Sequence, residues 1–240
     1  MLFPEMLNLV CVASATGCGF AAFAYPRIAM QRATRATCIA LARAAESREP
    51  HMIGHSERTA EIVVAMATRS LKFAPWQIWD LEAAALLHLV GKIGISHELL
   101  NNSATPSSRA WVALREYVRL GTEFIEGMDN LGRGAETVAA HREYIDGTGY
   151  PLGRRGTEIP FAARLLCVAT EYVAMTSPRI YRANGETMSP DQALDTLRLH
   201  AGVRYDTDAV NLLAAVVGSP TQDFATRLRL RTTRLGAVAR

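Results

Sequence analysis

The chain has 240 residues, of which 49% are hydrophobic, and a formal charge of +3. It is long enough for one helical domain with its own core plus appendages, and too apolar for a disordered chain. Four cysteines without paired spacing exclude a disulfide framework and a zinc ribbon. The charge is uneven: the last twenty residues hold five arginines against Asp223, a local +4 that leaves the remainder near −1.

From Met6 to Tyr25 no charged residue occurs, about the length a bilayer-spanning helix needs. Arg27, Arg32, Arg35 and Arg43 follow it, and positive charge on that flank places it on the cytoplasmic side. Residues 1–25 are therefore expected to form a single anchor in the cytoplasmic (inner) membrane, with the rest of the protein in the cytoplasm. Ser14, Thr16, Gly17 and Gly19 weaken the run, so a buried helix is the alternative. A cleaved secretory signal is disfavoured because the first five residues contain no Lys or Arg.

Residues 26–48 mix Arg with Ala, Ile, Met and Leu and read as a linker helix, broken by Glu49-Pro50. Apolar periodicity then predicts helices at 55–70, 75–89, 106–126, 133–142, 160–176, 189–200 and 207–217. Several open with capping or proline patterns: Thr105-Pro106, Ser189-Pro190-Asp191 and Asp206-Thr207-Asp208. No alternating strand pattern interrupts them, so the fold class is all-α. The one period-two stretch, Arg227 to Arg231, falls in the basic tail at 218–240, which reads as an edge strand, a short helix, a solvated arm or a lipid-touching segment.

Asp146-Gly147-Thr148-Gly149-Tyr150-Pro151 crowds two glycines, a proline and turn-forming polar residues together, the composition of a fixed exposed loop. His141 stands five residues before it and His88-x-x-Gly91-Lys92 lies further upstream. With His55-Ser56-Glu57-Arg58, the stretch Ala163 to Ala169 and the stretch Thr176 to Arg182, this ordered set resembles the HD-GYP family over residues 49–217. The resemblance implies an HD-GYP-like helical domain behind the membrane helix. It also implies two or three metal ions, usually iron or manganese, and hydrolysis of the bacterial second messenger cyclic di-GMP to pGpG or GMP. Two metals suit that reaction because they deprotonate the nucleophile and hold both attacking and leaving oxygens.

Carried over motif by motif, the resemblance makes His55, His88 and His141 surviving metal ligands. His51, four residues before His55, is a further candidate on a continuous helix. Four ligand positions are lost. Leu89 stands where the Asp of the His-Asp pair belongs, Tyr117 replaces a histidine four residues before Gly121, Arg142 replaces the second histidine of His-His-Glu, and Thr170 replaces the aspartate of Val-Ala-Asp. Glu171 does not compensate, since one helical step turns its side chain by about 100°. The expectation is no resident cofactor, the alternative being one Zn, Mn or Fe ion on the three histidines. Without a metal, on the order of 10 kcal/mol of nucleophile activation is gone.

The binding side of the resemblance is better kept: Lys92, Arg179 and Arg182 match basic positions that reach the phosphates of cyclic di-GMP. Lys92 is also the one catalytic candidate if the domain is active. Asp146, Gly147, Gly149, Tyr150 and Pro151 match a loop that serves the family as a structural element and as a docking surface for partners, including diguanylate cyclase domains. No nucleic-acid polymer is an expected partner. The resulting expectation is a degenerate HD-GYP pseudoenzyme in cyclic di-GMP signalling, a nucleotide sensor or docking module. The alternatives are a phosphodiesterase with a reduced metal site and a scaffold that binds neither metal nor nucleotide.

Overall fold

Helices supply the regular structure of the computed structural model, which describes residues 30–102, 107–128, 134–178 and 187–218. Beside them, the described residues contain only two isolated β-bridges, Asp146 with Arg155 and Ala201 with Tyr205. The chain divides into two units, Met1–Ala40 and Leu41–Arg240. The apolar run at 6–25 and the basic tail lie outside the described residues, and no described helix is long and apolar enough to cross a membrane.

Residues 30–46 are helical (α1), as their composition predicts. Glu46 at its end is 2% exposed and acts on the next helix. Its carboxylate accepts hydrogen bonds from Gly54 N at 2.7 Å and Ser56 N at 2.6 Å. These are unsatisfied donors at the start of α2 (His55–Ser70), whose N-cap, Gly54, has no side chain to do the work. A carboxylate is favoured there by the helix dipole as well. Burial raises the Glu46 carboxyl pKa while these donors pull it back. The effect is to fix His55 at the first position of α2.

Pro50–Met52 forms a separate 3-10 turn, and Gly54 adopts a φ of 80° between that turn and α2. His51 therefore does not extend the face of α2 that carries His55, so the continuous helix on which its candidacy as a ligand depended does not form. α3 (Pro75–Leu87) opens on a proline and is tied by Ala74 N donating to Gln77 Oε1. It stops two residues earlier than expected, because the chain tightens into a 3-10 turn at Val90–Gly94. The cause of that turn is a close approach. A Cβ at Gly91 would stand 1.9 Å from Tyr117 O, so only glycine lets this turn press against the backbone at Tyr117.

An unforeseen short helix, α4 (His97–Leu100), is capped by the Ser96 hydroxyl. The expected helix at 106–126 is two, α5 (Ser108–Arg115) and α6 (Tyr117–Glu126), parted at Glu116, and Ser107 provides the cap of α5. Thr105-Pro106 lies outside the described residues. α7 (Gly134–Ala140) ends just before His141. α8 (Phe161–Met175), α9 (Pro190–Leu199) and α10 (Thr207–Val217) match their predicted spans closely. Ser189 and Asp206 accept from Gln192 N and Ala209 N as their capping patterns require.

α2 and α8 form the centre: α2 packs on α3, α8 and α10, and α8 also packs on α7 and α9. Leu165, Leu166 and Val168 of α8 and Val63 and Met66 of α2 are 1% exposed or less, each contributing about 1.5–3 kcal/mol by burial.

Candidate functional site

Four aromatic side chains converge where the ends of α2, α3, α6 and α7 meet. Ring centroids are 5.5 Å apart for His55 and His88, 5.3 Å for His88 and His141, and 5.9 Å for Tyr117 and His141. All four residues are buried. The three histidines named from the sequence are thus together, and so is the tyrosine placed at a lost ligand position.

The hydrogen bonds assign the tautomers of two of these rings. His88 Nδ1 lies 2.7 Å from Ala85 O and His141 Nδ1 lies 2.6 Å from Val138 O. A carbonyl only accepts, so each Nδ1 carries the proton and each Nε2 presents a lone pair. At His141 that lone pair is taken: the Tyr117 hydroxyl, 3.1 Å away, donates to it. The Tyr117 oxygen in turn accepts from Arg142 Nε at 2.8 Å, and Arg142 Nη1 donates to Glu171 Oε1 at 2.8 Å. Tyr144 also donates to Glu171, at 3.3 Å. The result is one directed run from carboxylate through guanidinium and phenol to imidazole. Glu171 is thus partnered by Arg142, the residue that stands where the resemblance expects a histidine.

Burial pushes His88 down to about 3, with Arg142 and Lys92 adding to the shift against the Ala85 bond. Burial, His88 and Arg142 likewise push His141 well below the ordinary imidazole value. Burial pushes the Tyr117 phenol up, so it stays a neutral donor. Burial alone would lower Arg142, but Tyr117, Tyr150 and Glu171 outweigh it and keep the guanidinium charged.

The other two positions at which the resemblance expects a ligand are Leu89 and Thr170. Leu89 is 2% exposed and belongs to an apolar cluster with Met52, Ile95, Leu100, Tyr117 and Val118. Thr170 is fully buried, and its hydroxyl and His88 Nε2 have no hydrogen-bond partner among the described residues. Among the described residues, no group of three or more His, Cys, Asp or Glu side chains is arranged to hold a metal ion. The donor set explains this. His141 has given its lone pair to Tyr117, a permanent cation sits beside His88 and His141, and the nearby carboxylate Glu171 is spent on Arg142. A metal centre that needs anionic oxygen donors does not fit these residues.

Lys92 points its ammonium at Glu49 Oε1, 2.6 Å away, with only 15% and 8% of the two side chains exposed. Glu49 also stands 3.9 Å from His51 Nε2. Arg179 and Arg182 lie outside the described residues.

The Asp146–Pro151 loop is present and tightly held. Asp146 Oδ1 accepts from Thr148 N and Oγ1, and Tyr150 N donates to Arg142 O. A Cβ at Gly149 would meet Tyr144 N at 2.4 Å and Glu143 Cα at 2.5 Å. Glu143, 2% exposed, accepts from Leu152 N at 2.7 Å and Arg154 N at 3.1 Å. Sequence reasoning missed Glu46, Glu49 and Glu143 as organising residues. Only Glu143 left a signal, as the third residue of a His-Arg-Glu triplet beside a fixed loop.

The HD-domain family model matches residues 40–209. The chain belongs to the HD-domain family. It is 32% identical over 181 residues to the cyclic di-GMP phosphodiesterase response regulator RpfG of Xanthomonas campestris, covering 75% of this chain and 47% of that protein. It is 31% identical over 160 residues to 3'3'-cGAMP-specific phosphodiesterase 3 of Vibrio cholerae, covering 66% and 34%. With a probable cyclic di-GMP phosphodiesterase of Vibrio cholerae it shares 30% identity over 192 residues, covering 74% and 43%. The chain thus spans less than half the length of these relatives. Among solved structures, a cyclic GMP-AMP-specific phosphodiesterase of Vibrio cholerae superposes with a TM-score of 0.59 at 19% identity, covering 78% of this chain and 49% of the other. An HDG"Y"P protein of Bdellovibrio bacteriovorus gives 0.56 at 17% identity, covering 69% and 52%. The fold of this HD-domain protein is all-α and HD-GYP-like.

Proposed function

We propose that this HD domain senses a cyclic dinucleotide without hydrolysing it, held at the cytoplasmic membrane by the apolar run at 6–25. The observation that carries the non-catalytic part is the run Glu171–Arg142–Tyr117–His141, which puts a cation and a neutral phenol where the resemblance calls for metal ligands. Water unaided by a metal has a pKa of about 15.7, and the buried histidines stay neutral without a carboxylate to help them. The ligand class is drawn from relatives whose names specify cyclic di-GMP and 3'3'-cGAMP. The alternative, hydrolysis at a reduced metal site, has the same relatives in its favour.

The deciding experiment incubates the full chain with cyclic di-GMP or 3'3'-cGAMP and excess Mn²⁺ or, anaerobically, Fe²⁺. Nucleotides are chromatographed over hours and binding is followed by equilibrium dialysis. Intact nucleotide that is retained by the protein is the expected result. Protein-dependent pGpG or GMP overturns it in favour of the phosphodiesterase.

A further inference from the structure

We infer that Arg115, held between the rings of Trp111 and Tyr150, is the recognition element for a guanine-containing cyclic dinucleotide, with Trp111 supplying the ring on which a base stacks. The inference rests on the sensing reading and names its site.

α5 buries none of its residues, yet it carries Trp111 at 48% exposure and Val112 at 70%. Arg115 follows Trp111 by four positions and so shares its face. Its guanidinium carbon lies 5.9 Å from the Trp111 ring and 4.7 Å from the Tyr150 ring. One turn further on, Arg119 is clamped by Glu116 and Glu123; Arg115 makes no ion pair among the described residues. A carboxylate partner would cancel the charge and occupy the donor fork. Aromatic faces fix the plane of the guanidinium and leave its edge able to bond a guanine edge or a phosphate bidentately.

The position suits the reading. Tyr150 packs against the cluster that contains Leu89 and Tyr117, and Tyr117 bonds His141. Arg115 therefore stands at the rim of the centre that Tyr117 and Arg142 have filled. A ligand shut out of that interior meets this rim. An exposed indole and a guanidinium fork are what a base and a charged sugar-phosphate ring need for stacking and hydrogen bonding.

The test titrates the full chain with cyclic di-GMP, 3'3'-cGAMP and cyclic di-AMP, reading tryptophan fluorescence and equilibrium dialysis. Cyclic di-GMP is expected to bind and cyclic di-AMP to bind about tenfold more weakly or worse. Arg115→Lys keeps the charge between the rings but loses the fork, and Trp111→Ala loses the stacking face. Each should weaken cyclic di-GMP about tenfold, with Trp76→Ala as the unaffected control. Undiminished binding by both variants overturns the inference and leaves sensing in place. Weakened binding accompanied by loss of amide protection across 146–151 also overturns it, since Arg115 is then a strut between α5 and the loop. No binding of any cyclic dinucleotide by the unsubstituted chain brings down the sensing reading itself.

Discussion

Tyr117 donates its phenolic proton to His141 across 3.1 Å, and the Nδ1 bond of His141 to Val138 O leaves that direction no alternative. A metal ligand must offer the same Nε2 lone pair to the ion. The tyrosine thus occupies the coordinating position of the one histidine that the His-Arg-Glu triplet retains, and Arg142 holds the tyrosine there.

Tyr117→Phe removes the donor to His141 and the acceptor of Arg142 Nε in one step. It is expected to cost about 1–3 kcal/mol, the range for leaving buried polar groups unpaired. Paired with Arg142→Met in a double-mutant cycle, it should show a coupling of about 0.5–3 kcal/mol, measured by urea unfolding. Additive effects would mean that the run is not a unit.

Stability should fall with pH on the acid side of neutrality. The unfolded chain protonates histidine near 6.5, whereas folded His88 resists down to about 3 and His141 is also held well below its ordinary value. Both contribute their full stability above pH 6.5. Below it, the unfolded state binds more protons, and each histidine removes about 1.4 kcal/mol per pH unit. Glu46, whose carboxyl pKa is raised by burial, contributes in the opposite sense. The comparison therefore belongs between pH 7.5 and 5.5. Equal unfolding free energies at those two values would contradict the buried neutral histidines.

Glu143→Ala should loosen the loop without touching the histidines. Its carboxylate holds Leu152 N and Arg154 N, and charged hydrogen bonds of this kind contribute about 1.5–3 kcal/mol each. Hydrogen exchange should lose protection at those two amides first. Gly149→Ala should be worse, because its Cβ meets backbone at 2.4–2.6 Å and nothing there can rotate aside. Protection unchanged in Glu143→Ala would show that glycine geometry alone holds the loop.

The sequence made the helices legible because periodicity and capping are local: Ser189 and Asp206 cap where they read as caps. It missed the break at Glu116 and the 3-10 turn at Val90–Gly94, since each follows from one segment pressing on another. At the site, spacing and resemblance singled out His55, His88, His141 and Tyr117, and these four rings do converge, with Arg142 bonded to Tyr117. What the sequence did not reveal is where replaced groups find partners. Nothing in the spacing says that Arg142 spans from Tyr117 to Glu171, or that Glu46 caps α2 from outside the helix.

Restoring the metal ligands tests the whole assignment. Leu89→Asp alone puts a carboxylate among Met52, Ile95, Leu100 and Val118, and should cost several kcal/mol because a buried charge without a partner is not tolerated. Binding of Mn²⁺ should not follow, since His141 remains bonded to Tyr117 and Arg142 remains charged. Leu89→Asp, Tyr117→His, Arg142→His and Thr170→Asp together remove the donor, remove the cation and return two carboxylates. That variant should melt below the unsubstituted protein without metal. Mn²⁺ at a hundredfold over its dissociation constant should stabilise it by about 2.7 kcal/mol, a rise of about 5–10 °C. The unsubstituted protein should show no such shift. An equal Mn²⁺-dependent rise in both would mean that His55, His88 and His141 hold an ion after all, with Tyr117 displaced from His141 to make room for it.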